Sequence, residues 1–92
     1  MPSLFIVGGY RIFFWSNENN EPIHVHICKG KPSSNATKVW LTSKGKCILA
    51  HNKSQIPINE LKELLDIISA QFFLICSEWK KHFLLDEIRF YC

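Results

Sequence analysis

Residues 3–16 read SLFIVGGYRIFFWS, and this stretch decides the fold of the N-terminal half of the chain. Two runs rich in Phe, Ile, Val, Tyr and Trp, at 3–7 and 10–16, flank the pair Gly8-Gly9. Two glycines between two such runs predict a β-hairpin, because a tight primed turn needs positive φ angles at its centre. Both faces of the second run are largely apolar, which predicts a strand inside the sheet that is covered on at least part of its second face.

Three further short strands are predicted after this hairpin. A polar loop at 17–22 leads to a strand at 24–29, and a loop rich in Gly, Pro and Ser follows it at 30–35. The last two strands are predicted at 38–42 and 47–51, on either side of a turn that contains lysines. All these connections are short, which favours antiparallel neighbours over parallel crossovers.

From Pro57 onwards the apolar period lengthens from two residues to three or four. The residues that recur at this spacing are Leu61, Leu65, Ile68, Phe72, Ile75, Cys76, Trp79 and Phe83. They predict one amphipathic helix of about six turns over 57–83, with Asn59 as its N-cap. The tail at 87–92 alternates like a strand and could add to a sheet edge. We therefore expect an α+β fold, in which a small antiparallel sheet of about five strands packs against one long C-terminal helix.

Length and composition limit the class of protein. The chain of 92 residues suffices for one small domain and leaves no room for a second. A formal charge of +3 permits an anionic partner but does not demand one. The sequence contains no signal-peptide pattern and no run long enough to span a membrane, and its four cysteines form no CxxC pair. These features predict a cytoplasmic protein with reduced thiols.

His24 and His26 have the spacing that best suits a catalytic or metal-binding site. At i and i+2 on a predicted strand they leave the same face, roughly 6–7 Å apart. They could share a metal ion, or act as acid and base on either side of a phosphate. Further candidate ligands or orienting groups are Glu18, Glu21 and His51. No third ligand stands at a diagnostic spacing, so no metal site is predicted. A second interpretation is structural, with the histidines hydrogen-bonded to loop residues such as Asn17.

Lysines gather in the middle of the chain around one aromatic residue. The positions are Lys29, Lys31, Lys38, Lys44 and Lys46, with Trp40 among them. Such a mixture could hold an RNA backbone and stack a base. The alternative is that the lysines occupy exposed strand edges and discourage aggregation. The sequence has no Gly-rich phosphate loop, GxSxG or HExxH motif, and we expect no cofactor.

Several segments together resemble a known family of small bacterial proteins. They are GGYRIFF at 8–14, SNE at 16–18, PIHVH at 22–26, KVWL at 38–41, LAHN at 49–52, NEL at 59–61 and WKKHF at 79–83. In this order they resemble the domain-of-unknown-function 4160 family, over about residues 2–83. Two departures stand out. Ile23 replaces the second proline that usually precedes the first histidine, and the tail after Phe83 extends past the usual end. The resemblance therefore implies a single domain at 1–83 with 84–92 as a C-terminal extension.

The resemblance implies a partner more directly than it implies a reaction. Family members are often encoded beside a small protein of the domain-of-unknown-function 2442 family, in a pairing that resembles a type II toxin–antitoxin arrangement. The leading hypothesis is therefore a toxin-like protein that binds this partner through apolar helix surface or a free sheet edge. If it acts chemically, RNA cleavage is the simplest hypothesis, with His24 and His26 as acid and base and Arg11 or a lysine as the charge stabiliser.

Two other classes of function are open at this stage. A non-catalytic adaptor could use the loop around the histidines to recognise a ligand or a protein, and a metal-dependent hydrolase could use His24 and His26 as ligands. A homodimer is a further option, and no membrane contact is expected.

Overall fold

A computed structural model describes residues 3–16 and 20–92, and the elements below belong to that part of the chain. The strands are β1 (Ser3–Val7), β2 (Tyr10–Phe13), β3 (His24–Lys29), β4 (Thr37–Leu41) and β5 (Cys47–His51). The helices are α1 (Ile58–Ala70) and α2 (Phe72–Phe83). The strands form one sheet in the order β1-β2-β3-β4-β5, and every neighbouring pair is antiparallel. The expected α+β class is confirmed.

The hairpin predicted from Gly8-Gly9 is present. Val7 pairs with Tyr10, so the turn has two residues, and both glycines have positive φ angles of 54° and 84°. Glycine adopts positive φ angles without strain whereas other residues do not, which is why this turn can be so tight. The second strand is shorter than predicted, since β2 ends at Phe13 rather than near residue 16.

The prediction of one long helix is wrong. Gln71, with φ −101° and ψ 20°, separates α1 from α2, although its N–H still bonds to the carbonyls of Ile67 and Ile68. A straight helix over 57–83 would be about 40 Å long, whereas the longest dimension of the molecule is 35 Å. The break lets both halves stay on the sheet, where Phe72 directly after it is buried.

The first helix begins two residues earlier than its predicted cap suggests. Pro57 is the N-cap residue, and its carbonyl accepts a hydrogen bond from Leu61 N at 2.9 Å. Asn59, predicted as the cap, is instead the second residue of α1. None of the described helices is long and apolar enough to span a membrane.

The core lies between the helices and one face of the sheet. The strands and the residues next to them contribute Tyr10, Ile12, Phe14, Ile23, Val25, Ile27, Val39 and Leu41, and the helices contribute Leu61, Leu64, Ile68, Phe72, Ile75 and Trp79. The prediction that β2 is covered on at least part of its second face is confirmed, because Phe13 is fully buried in a second cluster with Cys28 and Ala36.

The tail at 84–92 crosses the end of the sheet without forming a regular strand. The carbonyls of Arg89 and Cys92 accept hydrogen bonds from Ile23 N (2.8 Å) and Ser43 N (2.9 Å). Phe90 stacks on Phe72 at 6.0 Å. The tail is therefore anchored to the start of β3 and to the end of β4.

Candidate functional site

The sheet face opposite the main core holds a row of polar and aromatic side chains. Phe13 pairs with His26, His26 with Lys38, and Lys38 with His51. Directly paired residues on neighbouring strands share a face, so these four side chains form a line across β2–β5. We call this line the histidine row. Neighbouring strands are about 4.8 Å apart, which places the backbones of His26 and His51 about 10 Å from each other.

His24 lies beside the row, at the first position of β3, and is fully buried. Its Nδ1 is 2.8 Å from the carbonyl oxygen of Pro22, which can only accept, so Nδ1 carries the proton of this hydrogen bond. The rings of Trp40 and Trp79 contact it edge-on, at 5.5 Å and 5.4 Å between centroids. The imidazole is thus fixed in one orientation by a backbone acceptor and two indoles.

His26 is only 7% exposed and lies among aromatic rings. It stacks on Phe13 at 5.5 Å and lies 6.3 Å from Trp15. The His24 and His26 rings leave the same face, as predicted, and their centroids are 5.0 Å apart with planes at 89°. Two buried rings in edge-to-face contact leave no room for a phosphate between them. Their arrangement favours a packing role in this conformation.

Lys38 is the cationic centre of the row. Its Nζ forms an ion pair with Glu21 Oε1 at 2.6 Å and lies 4.2 Å from the centre of the Trp40 ring. Tyr91 of the tail stacks on the same indole at 4.9 Å, with the two planes 8° apart. Trp40 therefore already stacks on Tyr91, where the RNA hypothesis expected a base. Lys38, which that hypothesis assigned to the RNA backbone, already contacts Glu21 and Trp40.

His51 ends the row on the edge strand β5 and is partly exposed. Burial lowers the pKa of this imidazole, and electrostatic interactions with Lys53, His26 and Lys38 lower it further. Its Nδ1 accepts a hydrogen bond from Lys53 N at 3.4 Å. A neutral imidazole close to Lys38 has the properties of a general base, and the more exposed position makes His51 a better candidate than His24 for that role.

A hydrogen-bond network that the sequence analysis missed holds β4 to the segment after β5. Asn52 Oδ1 accepts from Thr37 Oγ1 at 2.7 Å and from Ile56 N at 3.0 Å, while Asn52 Nδ2 donates to Ile56 O. Ser54 Oγ donates to the carbonyl of Asn35 at 2.9 Å, lies 3.2 Å from that of Ile27, and accepts a hydrogen bond from Thr37 N at 3.0 Å. A signal was present in the LAHN segment, since Asn next to a strand end often bonds local backbone.

The remaining predicted site residues do not converge on the histidines. Arg11 pairs with Cys28, and its Nη1 donates to Ser3 Oγ on the far side of β2. Lys29 lies on the helix side, with Nζ 5.3 Å from the Tyr10 ring centre. Lys44 and Lys46 lie in the β4–β5 turn. The lysines that are close in sequence are thus distributed over both faces and one end of the sheet.

Asn17 and Glu18 lie outside the described residues. Within the described ranges, no group of three His, Cys, Asp or Glu side chains is placed to hold a metal ion. Burial raises the pKa of the thiols of Cys28, Cys47 and Cys76, which makes them poor nucleophiles near neutral pH. The site therefore comprises His24, His26, Lys38, Trp40 and His51 with Glu21 at its rim.

A comparison with protein-family models finds one match over residues 9–80, to the family described as "Domain of unknown function (DUF4160)". This range covers most of the chain. The protein belongs to the DUF4160 family. Neither the curated proteins nor the solved structures contain a significant match.

The DUF4160 match begins in the β1–β2 turn and ends inside α2, so it contains the complete histidine row. Strand β1 and the tail that stacks on Trp40 fall outside the matched range. The matched part is thus the sheet from β2 to β5 with its helical cover.

Proposed function

We propose that this DUF4160 protein is a protein-binding module of the cytoplasm, and that it acts as the toxin-like member of a two-protein pair. The observation that carries the proposal is the edge of the sheet at β5, on whose outer side no other described strand pairs. Ile48 and Leu49 on this strand are 42% and 37% exposed, and Ala50 beside them is exposed as well. An apolar edge strand with open backbone groups is a template for strand addition by a partner.

The geometry of the histidines also favours binding over catalysis. His24 and His26 are buried and fixed by rings and by the Pro22 carbonyl, so a substrate could not reach them without displacement of the packed side chains. A binding surface needs exposed groups, and β5 has them.

Complex formation with a small protein of the domain-of-unknown-function 2442 family tests the pairing. We expect a defined complex by size-exclusion chromatography with light scattering when the two proteins are mixed at micromolar concentration. Ile48→Lys should prevent it, because a charge on the edge strand opposes strand addition. Phe73→Lys is the matched control, since Phe73 is 85% exposed on α2, away from the edge. Loss of the complex in the control alone would assign the interface to α2.

Growth after induction tests the toxin-like role separately. We expect arrest by the wild-type chain and relief when the partner is co-expressed. Arrest should persist in His51→Gln, since binding does not require a proton acceptor on β5. Unchanged growth with well-expressed wild-type protein would refute the toxin-like role, and complex formation would then decide whether the adaptor function remains.

A second candidate function, RNA cleavage, is favoured by the histidine row itself. At the partly exposed end of the row His51 pairs directly with Lys38, which puts a proton acceptor beside a cation, two of the groups that phosphodiester cleavage uses. Cleavage of a fluorogenic RNA that disappears in His51→Gln, together with loss of growth arrest in that variant, would favour this function over binding.

A further inference from the structure

The start of β5 borders a cleft with a mostly apolar lining. The cleft has a volume of about 420 Å³ and is lined by Thr42, Lys44, Lys46, Cys47, Ile48 and Cys92. It lies directly beside the exposed part of the edge strand, because Cys47 and Ile48 belong to both. A side chain from a strand added to β5 could enter this cleft, as alternate side chains of an added strand do in strand addition.

The charged side chains in the segment that forms the cleft and β5 are all positive. Residues 44–53 contain Lys44, Lys46 and Lys53 and no Asp or Glu. Neither Lys44 nor Lys46 makes an ion pair with another described residue, and both are exposed. One carboxylate, that of Asp66 on α1, lines the adjacent cleft together with these two lysines. Among the charged side chains that line the two clefts, two lysines therefore stand against one carboxylate.

The regular part of the edge is the part next to the cleft. The pairing of β4 with β5 passes from Leu49 to His51 and skips Ala50, so β5 contains a bulge at that position. A bulge bends the strand and ends regular pairing. An added strand would therefore pair with Cys47–Leu49, beside the lysines, rather than with the far end of β5.

We propose that this edge binds an extended segment of a partner protein in which acidic and apolar residues alternate. The apolar residue fills the cleft beside Ile48, and the carboxylates pair with Lys44 and Lys46. A second copy of the chain suits the surface less well, because it would bring the same excess of lysines to the interface. The inference rests on the proposed binding function and specifies the chemistry of the partner.

Two synthetic peptides of about eight residues test the charge preference. One alternates leucine with glutamate, the other leucine with lysine, and binding is followed by fluorescence anisotropy and by amide chemical shifts. We expect the glutamate peptide to bind with shifts concentrated at 46–49, and the lysine peptide not to bind. Shifts centred on the other edge strand, β1, or equal binding of both peptides would overturn the proposal.

Charge reversal at the cleft gives the second half of the test. Lys44→Glu/Lys46→Glu should weaken the glutamate peptide about tenfold or more, because two charge pairs are replaced by repulsion. Lys80→Glu/Lys81→Glu is the matched control, since these lysines are exposed on α2 and the net charge changes equally. Equal weakening by both variants would mean that only overall charge matters and would refute the site.

The outcome separates this inference from the proposed function. If the complex with the domain-of-unknown-function 2442 protein still forms after charge reversal at Lys44 and Lys46, the acidic segment is refuted and the proposed binding function remains. Peptide binding at 46–49 without a complex would leave the site standing and refute the pairing. Dimerisation of the free chain through β5, measured by sedimentation, would assign the edge to a second copy and overturn the proposal.

Discussion

The two faces of the sheet are built by the same strands and have opposite chemistry. Toward the helices β2–β4 present Ile12, Val25, Ile27 and Val39, all fully buried against α1 and α2. Away from the main core they present His26 and its neighbours in the histidine row, with Lys38 paired to Glu21. The two faces differ because strand residues alternate in direction.

The contrast shows how stability and specific contacts are divided within a small domain. The helix face is stabilised by burial of apolar area, so any apolar side chain that fits the space can contribute there. The histidine face depends on particular partners, since His24 is oriented by the Pro22 carbonyl and Lys38 by Glu21 and Trp40. Substitutions on the first face should therefore cost stability, whereas substitutions on the second should change local order and pH response.

The largest expected effect is on the helix face. Ile75→Ala should lower the free energy of unfolding by about 2–5 kcal/mol, because Ile75 is completely buried and its removal leaves a cavity. Ile58→Ala is the matched control on α1, where the side chain is 64% exposed, and should change stability by no more than about 0.5 kcal/mol. Urea denaturation followed by circular dichroism measures both. Equal losses would contradict the assignment of the core to this face.

A smaller effect is expected from the ion pair on the histidine face. A double-mutant cycle with Lys38→Met and Glu21→Gln should give a coupling energy of about 1 kcal/mol or less, since the carboxylate side chain is 37% exposed and water screens the pair. In 1 M NaCl the coupling should decrease further. Thermal unfolding of the four proteins provides the measurement. A coupling energy well above about 1 kcal/mol that does not change with salt concentration would indicate an ion pair that is effectively buried.

The sequence was sufficient to predict the elements that depend on local signals. Gly8-Gly9 with its flanking apolar runs predicted the hairpin, and β3 and β5 have the predicted bounds of 24–29 and 47–51. The same-face arrangement of His24 and His26 followed from alternation. These features need no knowledge of distant contacts, which is why they could be predicted.

The features that were missed depend on tertiary contacts. The break at Gln71 has no proline or glycine signal, and directly after it Phe72 is buried in the core. Neither the stacking of Tyr91 on Trp40 nor the bonding of Asn52 to Thr37 could be predicted from spacing, because their partners are distant in sequence. The row from His26 to His51 required the strand order and the register.

The smallest expected effect is a pH response at the exposed end of the histidine row. The pKa of His51 is lower in the folded chain than in the unfolded chain, chiefly through burial and then through Lys53, His26 and Lys38. The unfolded state therefore binds the proton more readily, so this contribution to stability is fully present above the unfolded pKa of about 6.5 and is lost as pH falls through the lower folded pKa.

The melting temperature should thus decrease between pH 7.5 and 5.5 at constant ionic strength, and the decrease should be smaller in His51→Gln. The difference between the two proteins isolates His51 from the three other histidines, which are present in both. His82→Gln, in the last turn of α2, serves as the control for loss of an imidazole elsewhere. Parallel pH profiles for the wild type and His51→Gln would show that neither burial nor the neighbouring charges lower the pKa of this ring, and the histidine row would then be a packing arrangement without electrostatic coupling at its β5 end.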